Sequence, residues 1–354
     1  MIMNTGIAMQ SQFADRDTQR RRRRGWRFAV GLLGGVVLLA ALGATYQAIA
    51  TALDRRQYPP PGQLVAIGTL DQPLRLHLYC IGSGSPTVVL ESGQGGLSSH
   101  WSWVQPEVAH ATRVCAYDRA GVGWSDAGPT PRDARQITAE LHALLAKAAI
   151  PGPYVLVGHS YGGLYVRAYA ATFPTEVSGV VLVDASHPEQ WERLPGGAQQ
   201  FNRIRQIYRL AQLASRIGLM RLVGYNRLHP ALPPQAAAQF KAVADTVQFV
   251  DTAAAEFTAS PATFAQVRAV GDLGDKPLYV LSATEHGMPA EVEQLGAELQ
   301  TELAGLSSNS IHQTVPGSDH ASLLIKEEDA KATSTAILAV VEAVRSGQRL
   351  VRKQ

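Results

Sequence analysis

The chain has 354 residues, of which 46% are hydrophobic and 17% charged. That is ample for one large core with room for an inserted subdomain. The net charge of +3 is unevenly placed, because residues 1–27 contain seven arginines against Asp15 and Asp17. The basic balance therefore belongs to an N-terminal tail. This distribution of charge excludes a strongly basic globular domain. The apolar run that follows the arginines argues against a nucleic-acid partner.

An uncharged stretch runs from Phe28 to Leu53, directly after the arginines. Because about 20 helical residues span a bilayer, residues 28–50 predict a transmembrane anchor. The consecutive arginines 20–24 hold the tail in the cytoplasm by the positive-inside rule, which puts the rest of the chain on the extracytoplasmic side. The pattern at Ala48-Ile49-Ala50 makes a cleaved signal peptide and secretion the alternative, although the long basic segment favours the uncleaved anchor.

Residues 51–63 contain three consecutive prolines and predict a short, stiff linker. Short apolar runs then predict strands at residues 64–70, 74–81, 87–90, 113–117, 154–157, 177–183, 277–282 and 310–315. Helices are predicted between them at residues 101–110, 133–149, 164–173 and 290–306, with a closing helix from Ala321 onward. This alternation is typical of a mostly parallel sheet that helices cover on both faces.

Residues 187–272 contain no strand-like run, and helical spacing dominates there. One apolar stripe consists of Ile204, Ile207, Leu210, Leu213 and Ile217, flanked by Arg203, Arg205, Arg209, Arg216 and Arg221. Two further helices are predicted from about Gln235 to Phe257 and from about Ala262 to Val270. The arginines indicate a solvated helix face, with an acidic substrate or a membrane surface as the alternative partner.

The segment Gly158-His159-Ser160-Tyr161-Gly162 lies between a predicted strand and a predicted helix. A sharp turn at Ser160 would bring the residues on either side together, and glycine at both outer positions removes the clash. Here the chain resembles the α/β-hydrolase family, whose nucleophile elbow has this pattern. The resemblance covers residues 64–345. It implies an α/β-hydrolase core at 64–186 and 273–354, with an eight-stranded, mostly parallel sheet, and a helical cap at 187–272 inserted after the sixth strand.

A serine nucleophile needs a histidine base and a carboxylate that orients it. The family order is Ser, acid, His. Five histidines follow Ser160: His187, His229, His286, His312 and His320. Only His320 lies in the loop after the last predicted strand, in a Gly317-Ser-Asp-His segment that resembles the family's Gly-x-x-His. For the acid, Asp184 at the end of the sixth predicted strand is favoured over Glu285, which follows the seventh.

The resemblance also implies an oxyanion hole made of two backbone N–H groups. These are the N–H of Gln94, with Gly95 as the neighbouring possibility, and the N–H of Tyr161. Ser92-Gly93 stands where the family usually has His-Gly. The segment from Asp118 to Ser125 resembles a family motif whose role is mainly structural, so we assign no catalytic role to it.

The chain has two cysteines, Cys80 and Cys115, which is too few for a disulfide framework. The resemblance places them in the second and fourth strands, which are neighbours in the family's sheet. A disulfide is therefore compatible with an exported domain. Two small, buried, apolar side chains are the favoured interpretation.

Together these residues predict a serine hydrolase that cleaves an ester-like bond of a small-molecule acyl substrate through an acyl-enzyme. No organic cofactor and no metal are implied, because the sequence lacks zinc-type His/Cys spacing. An amidase, peptidase or acyltransferase on the same triad is the alternative. Relatives that cleave epoxides or carbon–halogen bonds use an aspartate where this chain has Ser160. A binding module with a decayed site is disfavoured by the intact serine and histidine.

Overall fold

The computed structural model describes residues 5–223 and 231–351, with side chains from residue 20 onward. One eight-stranded sheet has the order β1-β2-β4-β3-β5-β6-β7-β8. Its strands are β1 (Gln63–Ala66), β2 (Arg75–Ile81), β3 (Thr87–Glu91), β4 (Val114–Tyr117), β5 (Tyr154–His159), β6 (Val177–Val183), β7 (Leu278–Ala283) and β8 (Ser310–Val315). β2 is antiparallel to both of its neighbours, and the other pairs are parallel. The predicted mostly parallel α/β-hydrolase sheet is confirmed.

The helices are α1 (Thr5–Gln57), α2 (Val104–Ala109), α3 (Ala134–Lys147), α4 (Gly162–Thr172), α5 (Gln190–Arg193), α6 (Gly197–Arg216), α7 (Leu219–Val223), α8 (Pro234–Ala244), α9 (Val247–Arg268), α10 (Ala290–Ala304), α11 (Ser322–Ile325) and α12 (Glu327–Ser346). Successive side chains of a strand point to opposite faces of the sheet. Val88 accordingly packs in the core beneath α2 and α12, and Val89 packs beneath α3 and α4. Burial on both faces explains why these strands read as continuous apolar runs.

The N-terminal helix α1 extends away from the sheet, and its stretch from Arg20 to Gln57 is long and apolar enough to cross a membrane. Its C-terminal end packs on the rest of the protein. Gln47 donates from Nε2 to the carbonyl oxygen of Asp245 (2.6 Å), and Asp54 pairs with Arg221 (2.5 Å). Residues 51–57, predicted as part of an extended linker, are therefore helical, because these contacts extend α1 beyond its apolar part.

Residues 187–272, which we call the helical insertion, lie between β6 and β7 and contain α5 to α9. The predicted break near Phe257 is wrong. The chain breaks instead at Thr246, whose Oγ1 accepts from the N–H of Phe249 (3.2 Å) and caps α9. α9 then continues through Pro261 to Arg268, so the separate helix predicted from Ala262 is part of it.

Cys80 and Cys115 lie directly opposite each other in the β2–β4 pair and form a disulfide. The favoured interpretation of two free, buried thiols is therefore wrong. The sheet register is the physical reason, because it pairs Cys80 with Cys115 and brings their side chains together.

Candidate active site

The turn after β5 holds Ser160 in a left-handed backbone conformation, with φ of 54°. A non-glycine residue keeps such a conformation only where the surrounding structure fixes it. The Ser160 N–H donates to the carbonyl oxygen of Val183 (3.1 Å). Its carbonyl oxygen accepts from the N–H groups of Gly163 (3.0 Å) and Ser186 (2.9 Å). The turn is thus fixed between the start of α4 and the end of β6.

The two glycines that flank Ser160 have no room for a side chain. A Cβ on Gly158 would lie 2.6 Å from backbone atoms of Gly162. A Cβ on Gly162 would lie 2.4 Å from the carbonyl oxygen of Glu91. The steric reason expected from the sequence therefore applies to both positions, although the obstacle at Gly162 is β3 rather than the other glycine.

Asp184 directly follows β6 and also has a positive φ, of 41°. Its N–H donates to the carbonyl oxygen of Leu281 (2.7 Å), and its Oδ1 accepts from the N–H of Ala283 (3.1 Å), both in β7. The other oxygen, Oδ2, accepts from Nδ1 of His320 at 2.6 Å. The structure therefore brings together the histidine and the favoured acid, 136 residues apart in sequence.

The alternative acid, Glu285, is exposed beyond the end of β7. Its backbone N–H donates to the carbonyl oxygen of Ser318 (2.9 Å), which ties the loop after β7 to the loop that carries His320. Among the described residues, the carboxylate that hydrogen-bonds with His320 is that of Asp184.

A second histidine, His286, also donates to Oδ2 of Asp184, from Nε2 at 2.9 Å. Its Nδ1 lies 2.8 Å from Oε2 of Glu293. Both ring nitrogens therefore face carboxylates, and both can donate only when the ring is protonated. The hydrogen bond to Asp184 is the main cause that raises the pKa of His286 to about 9. No pattern in the sequence indicated a role for this residue.

The carboxylate of Asp184 is stabilised in its charged form. Burial alone would raise its pKa, but the hydrogen bonds from His286 and His320 outweigh burial and hold the pKa well below its usual range. Glu293 fixes His286 in turn, because its Oε1 accepts from the backbone N–H groups of His286 (3.0 Å) and Met288 (3.1 Å). The result is a chain of hydrogen bonds from Glu293 through His286 and Asp184 to His320.

His159, the residue before the serine, lies beneath His320, with ring centroids 4.6 Å apart. Its Nε2 donates to the carbonyl oxygen of His320 (2.9 Å). Burial lowers the pKa of His159 to about 3, so the ring is neutral at physiological pH. His159 in the elbow thus also holds the loop that contains His320, a contact that the Gly-x-Ser-x-Gly pattern did not predict.

The loop after β3 approaches Ser160 closely, since a Cβ on Gly93 would lie 2.9 Å from Cβ of Ser160. Arg119 holds this loop by donating to the carbonyl oxygens of Ser92 (2.7 Å) and Gly93 (2.9 Å). Among the described residues, the backbone N–H groups of Gln94 and Tyr161 have no hydrogen-bond acceptor. Tyr161 lines the cavity beside Ser160, and Gln94 is not among the described residues that line it.

Arg119 is buried between two carboxylates. It pairs with Glu91 at 2.6 Å and with Glu256 at 2.8 Å. Glu91 ends β3, Glu256 belongs to α9 and Arg119 follows β4, so this cluster connects the sheet, the loop beside Ser160 and the helical insertion.

Ser160, Asp184 and His320 border a cavity of 560 Å³. Three of the other four histidines after Ser160 also line it, namely His187, His286 and His312, whereas His229 lies outside the described residues. The helical insertion contributes His187, Gln190 and Leu194. More of the wall comes from the stretch between β7 and the middle of α10: Thr284, His286, Met288, Val292, Glu293, Gly296, Ala297, Leu299 and Gln300. The wall of the cavity therefore comes from the helical insertion and from α10 together.

Two groups of side chains could hold a metal ion by their spacing. The ligand atoms of Asp184, His286 and His320 all lie within 4.8 Å of one another, as do those of His187, Glu189 and Glu302. In the first group the two imidazoles already donate to Asp184. The arrangement of this group therefore suits an acid–imidazole system that acts on a hydroxyl.

Comparison with known proteins agrees with this fold. A family model described as alpha/beta hydrolase fold matches residues 86–324, well over half of the chain. The chain therefore belongs to the α/β-hydrolase fold family. The relatives support a hydrolase and do not fix the bond that it cleaves.

Among curated proteins, an uncharacterized protein of Schizosaccharomyces pombe is 32% identical over 192 residues, which cover 45% of this chain and 36% of that protein. The chain spans between 20% and 41% of the length of the first three curated relatives that it matches. These matches therefore cover only a part of each relative.

Two solved structures show how widely the fold is used. A thermophilic esterase from Thermogutta terrifontis is 19% identical, with a TM-score of 0.57 over 80% of this chain and 98% of that one. The Cif epoxide hydrolase from Acinetobacter nosocomialis is 16% identical, with a TM-score of 0.65 over 83% and 96% of the two chains. At such identities the likeness is one of fold alone, and the same fold serves different reactions.

Proposed function

We propose that the protein is a serine hydrolase that cleaves an ester-like bond of a small-molecule acyl substrate. Ser160 is the nucleophile, His320 the base and Asp184 the orienting acid. The observation that carries the proposal is the 2.6 Å hydrogen bond between Asp184 and His320 at the cavity that also exposes Ser160.

The proposed reaction begins with a proton transfer. Because Nδ1–H of His320 donates to Asp184, Nε2 is the nitrogen free to take the proton of the Ser160 hydroxyl. The serine oxygen attacks the acyl carbon, and the N–H groups of Gln94 and Tyr161 stabilise the resulting oxyanion. His320 then protonates the leaving alcohol, and a water molecule releases the acid from Ser160 by the same steps.

The identity of the nucleophile favours this chemistry over the reaction of the epoxide hydrolase that shares the fold. Relatives that cleave epoxides use an aspartate nucleophile, whereas the elbow here carries Ser160. An amidase, peptidase or acyltransferase would use the same three side chains and remains the second candidate. We also propose that the helical insertion serves as the cap of the cavity, since Gln190 and Leu194 lie in its wall.

We further propose that residues 28–50 of α1 anchor the protein in a membrane, with the catalytic domain on the extracytoplasmic side. The apolar length of α1 supports the anchor. The arginines at residues 20–24 support the orientation by the positive-inside rule. The disulfide between Cys80 and Cys115 supports it independently, because disulfides persist in oxidising compartments.

Labelling with a fluorophosphonate probe tests the proposed nucleophile and base. We expect the wild-type protein to be labelled, Ser160→Ala to be unlabelled, and His320→Ala to be labelled far more slowly. His110→Ala, a change of an exposed histidine on the surface, is the matched control and should label as the wild type does. Failure of the folded wild-type protein to react would overturn the proposal and favour a binding module.

A further inference from the structure

The helical insertion presents a row of large apolar side chains to the outside. On α6, on α7 and at Ile217 between them, these side chains are between 41% and 70% exposed: Leu210, Leu213, Ile217, Leu219, Leu222 and Val223. Helix residues three or four positions apart lie on the same face, so the members on α6 form one continuous strip. We call this set the α6–α7 face. An apolar patch of this kind on a protein surface marks a site of interaction.

This face is fixed directly to α1. Gly43 lies so close to the insertion that a Cβ there would be 2.3 Å from the carbonyl oxygen of Ile217. One helical turn further along α1, Gln47 accepts from Nε of Arg221 (3.1 Å), and Arg221 also pairs with Asp54. These contacts hold the α6–α7 face and the C-terminal part of α1 in fixed positions relative to each other.

The length of the free part of α1 is decisive. Its uncharged stretch begins after Arg27, and at Gly43 the helix already lies against the insertion. The residues between these points number about 15, which gives a helix of about 22 Å. The hydrocarbon core of a bilayer is about 30 Å thick. The remaining ~8 Å of the hydrocarbon core must therefore be spanned by the part of α1 that contacts the insertion, from Gly43 to about Gln47.

We propose that the α6–α7 face is embedded in the interfacial region of the bilayer that α1 crosses. The leaflet concerned is the extracytoplasmic one, where the C-terminal part of α1 leaves the membrane. The inference rests on the proposed anchor. The missing ~8 Å matches the depth of about 5–10 Å at which apolar faces of interfacial helices lie. The exposed Arg203 and Arg209 lie beside the apolar strip on α6. In such a position a long basic side chain places its charged end among the lipid headgroups and its apolar stem along the hydrocarbon.

Spin labels at single introduced cysteines test this placement. The probe is the full-length protein in vesicles of phosphatidylcholine and phosphatidylglycerol at a ratio of about 3:1, which supply the anionic surface that attracts basic side chains. Leu213→Cys and Leu222→Cys report on the face, Leu32→Cys on the anchor, and Leu70→Cys is the control, a leucine fully exposed in the β1–β2 loop. Cys80 and Cys115 are bonded to each other and take no label. Power-saturation spectroscopy compares contact with oxygen, which enters lipid, and with a water-soluble nickel chelate.

We expect labels at positions 213, 222 and 32 to favour oxygen, and the label at 70 to favour the nickel chelate. If position 32 favours oxygen while 213 and 222 behave like 70, the docking is overturned and the anchor stands. If position 32 favours the chelate, the anchor is overturned and the docking with it. Protection of 213 and 222 from both reagents would show that protein covers the face, for example a second copy of the chain, and would also overturn the docking.

Discussion

Nε2 of His286 lies 2.9 Å from Oδ2 of Asp184, the same carboxylate oxygen that accepts from His320. Asp184 therefore has two histidine partners, and only one of them is also a candidate base. Because Nδ1 of His286 meets Glu293 at 2.8 Å, the second histidine is held as a cation between two carboxylates. We interpret His286 as a positioning residue that keeps Asp184 charged and in place.

The first prediction concerns stability and pH. The pKa of His286 is raised to about 9, mainly by its hydrogen bond to Asp184, whereas an unfolded histidine titrates near 6.5. A raised pKa stabilises the fold fully below about pH 6.5, and this contribution is lost as the pH rises through about 9. His286→Gln should therefore lower Tm by roughly 5 °C at pH 6 and by little at pH 10. Thermal unfolding of both proteins across this range measures the difference, and an equal loss at both pH values would contradict the assignment.

The second prediction separates the two candidate acids. Asp184→Asn should lower kcat about 10⁴-fold, because an amide no longer holds the base in the required tautomer. Glu285→Gln is the matched change at the exposed alternative and should leave kcat within about threefold, as expected where the carboxylate has no contact with His320. Hydrolysis of a short-chain p-nitrophenyl ester provides kcat for both variants. A large loss in Glu285→Gln with little in Asp184→Asn would reverse the assignment.

Local patterns in the sequence predicted much of this molecule. The strand 177–183 was predicted with the bounds that β6 has, because it is rich in valine and is buried at every position except Ser178. Ser160 was recognisable because a strand, two glycines and a helix lie within a few residues of it. The boundaries were less predictable. α9 passes through Pro261 because Phe257, Phe264 and Val267 are buried on either side of the proline, and packing outweighs local preference.

Contacts between distant residues that no family motif covers were beyond the sequence. His286 was visible as a histidine, but its role depends on Asp184, 102 residues away, and on the first turns of α10. The same holds for Arg119 and Glu256, which are 137 residues apart. Such pairs leave no periodicity or spacing in a single sequence, because only the tertiary fold brings them together.

The third prediction concerns the buried cluster behind the loop beside Ser160. Arg119→Met should destabilise the protein by about 4 kcal/mol, because it leaves Glu91 and Glu256 buried without a positive partner. The matched control is Arg75→Met, since Arg75 pairs with Asp126 at 2.9 Å with side chains 55% and 32% exposed. An exposed pair contributes little to stability, so the control change should be small. Urea unfolding of the two variants measures both changes, and losses of similar size would show that burial of the cluster is not decisive.

The last prediction concerns the disulfide. Cys80 and Cys115 enclose a loop with a sequence separation of 35, and closing a loop of that length restricts the unfolded chain by about 4 kcal/mol. The double change Cys80→Ala with Cys115→Ala should therefore lower the free energy of unfolding by up to that amount. Wild-type protein treated with a reductant should approach the same stability. Mass spectrometry of protein isolated from the membrane without reductant should find both thiols blocked to alkylation. Two alkylated cysteines in that sample would mean that the pair is reduced in the cell, and would remove one of the two supports for an extracytoplasmic catalytic domain.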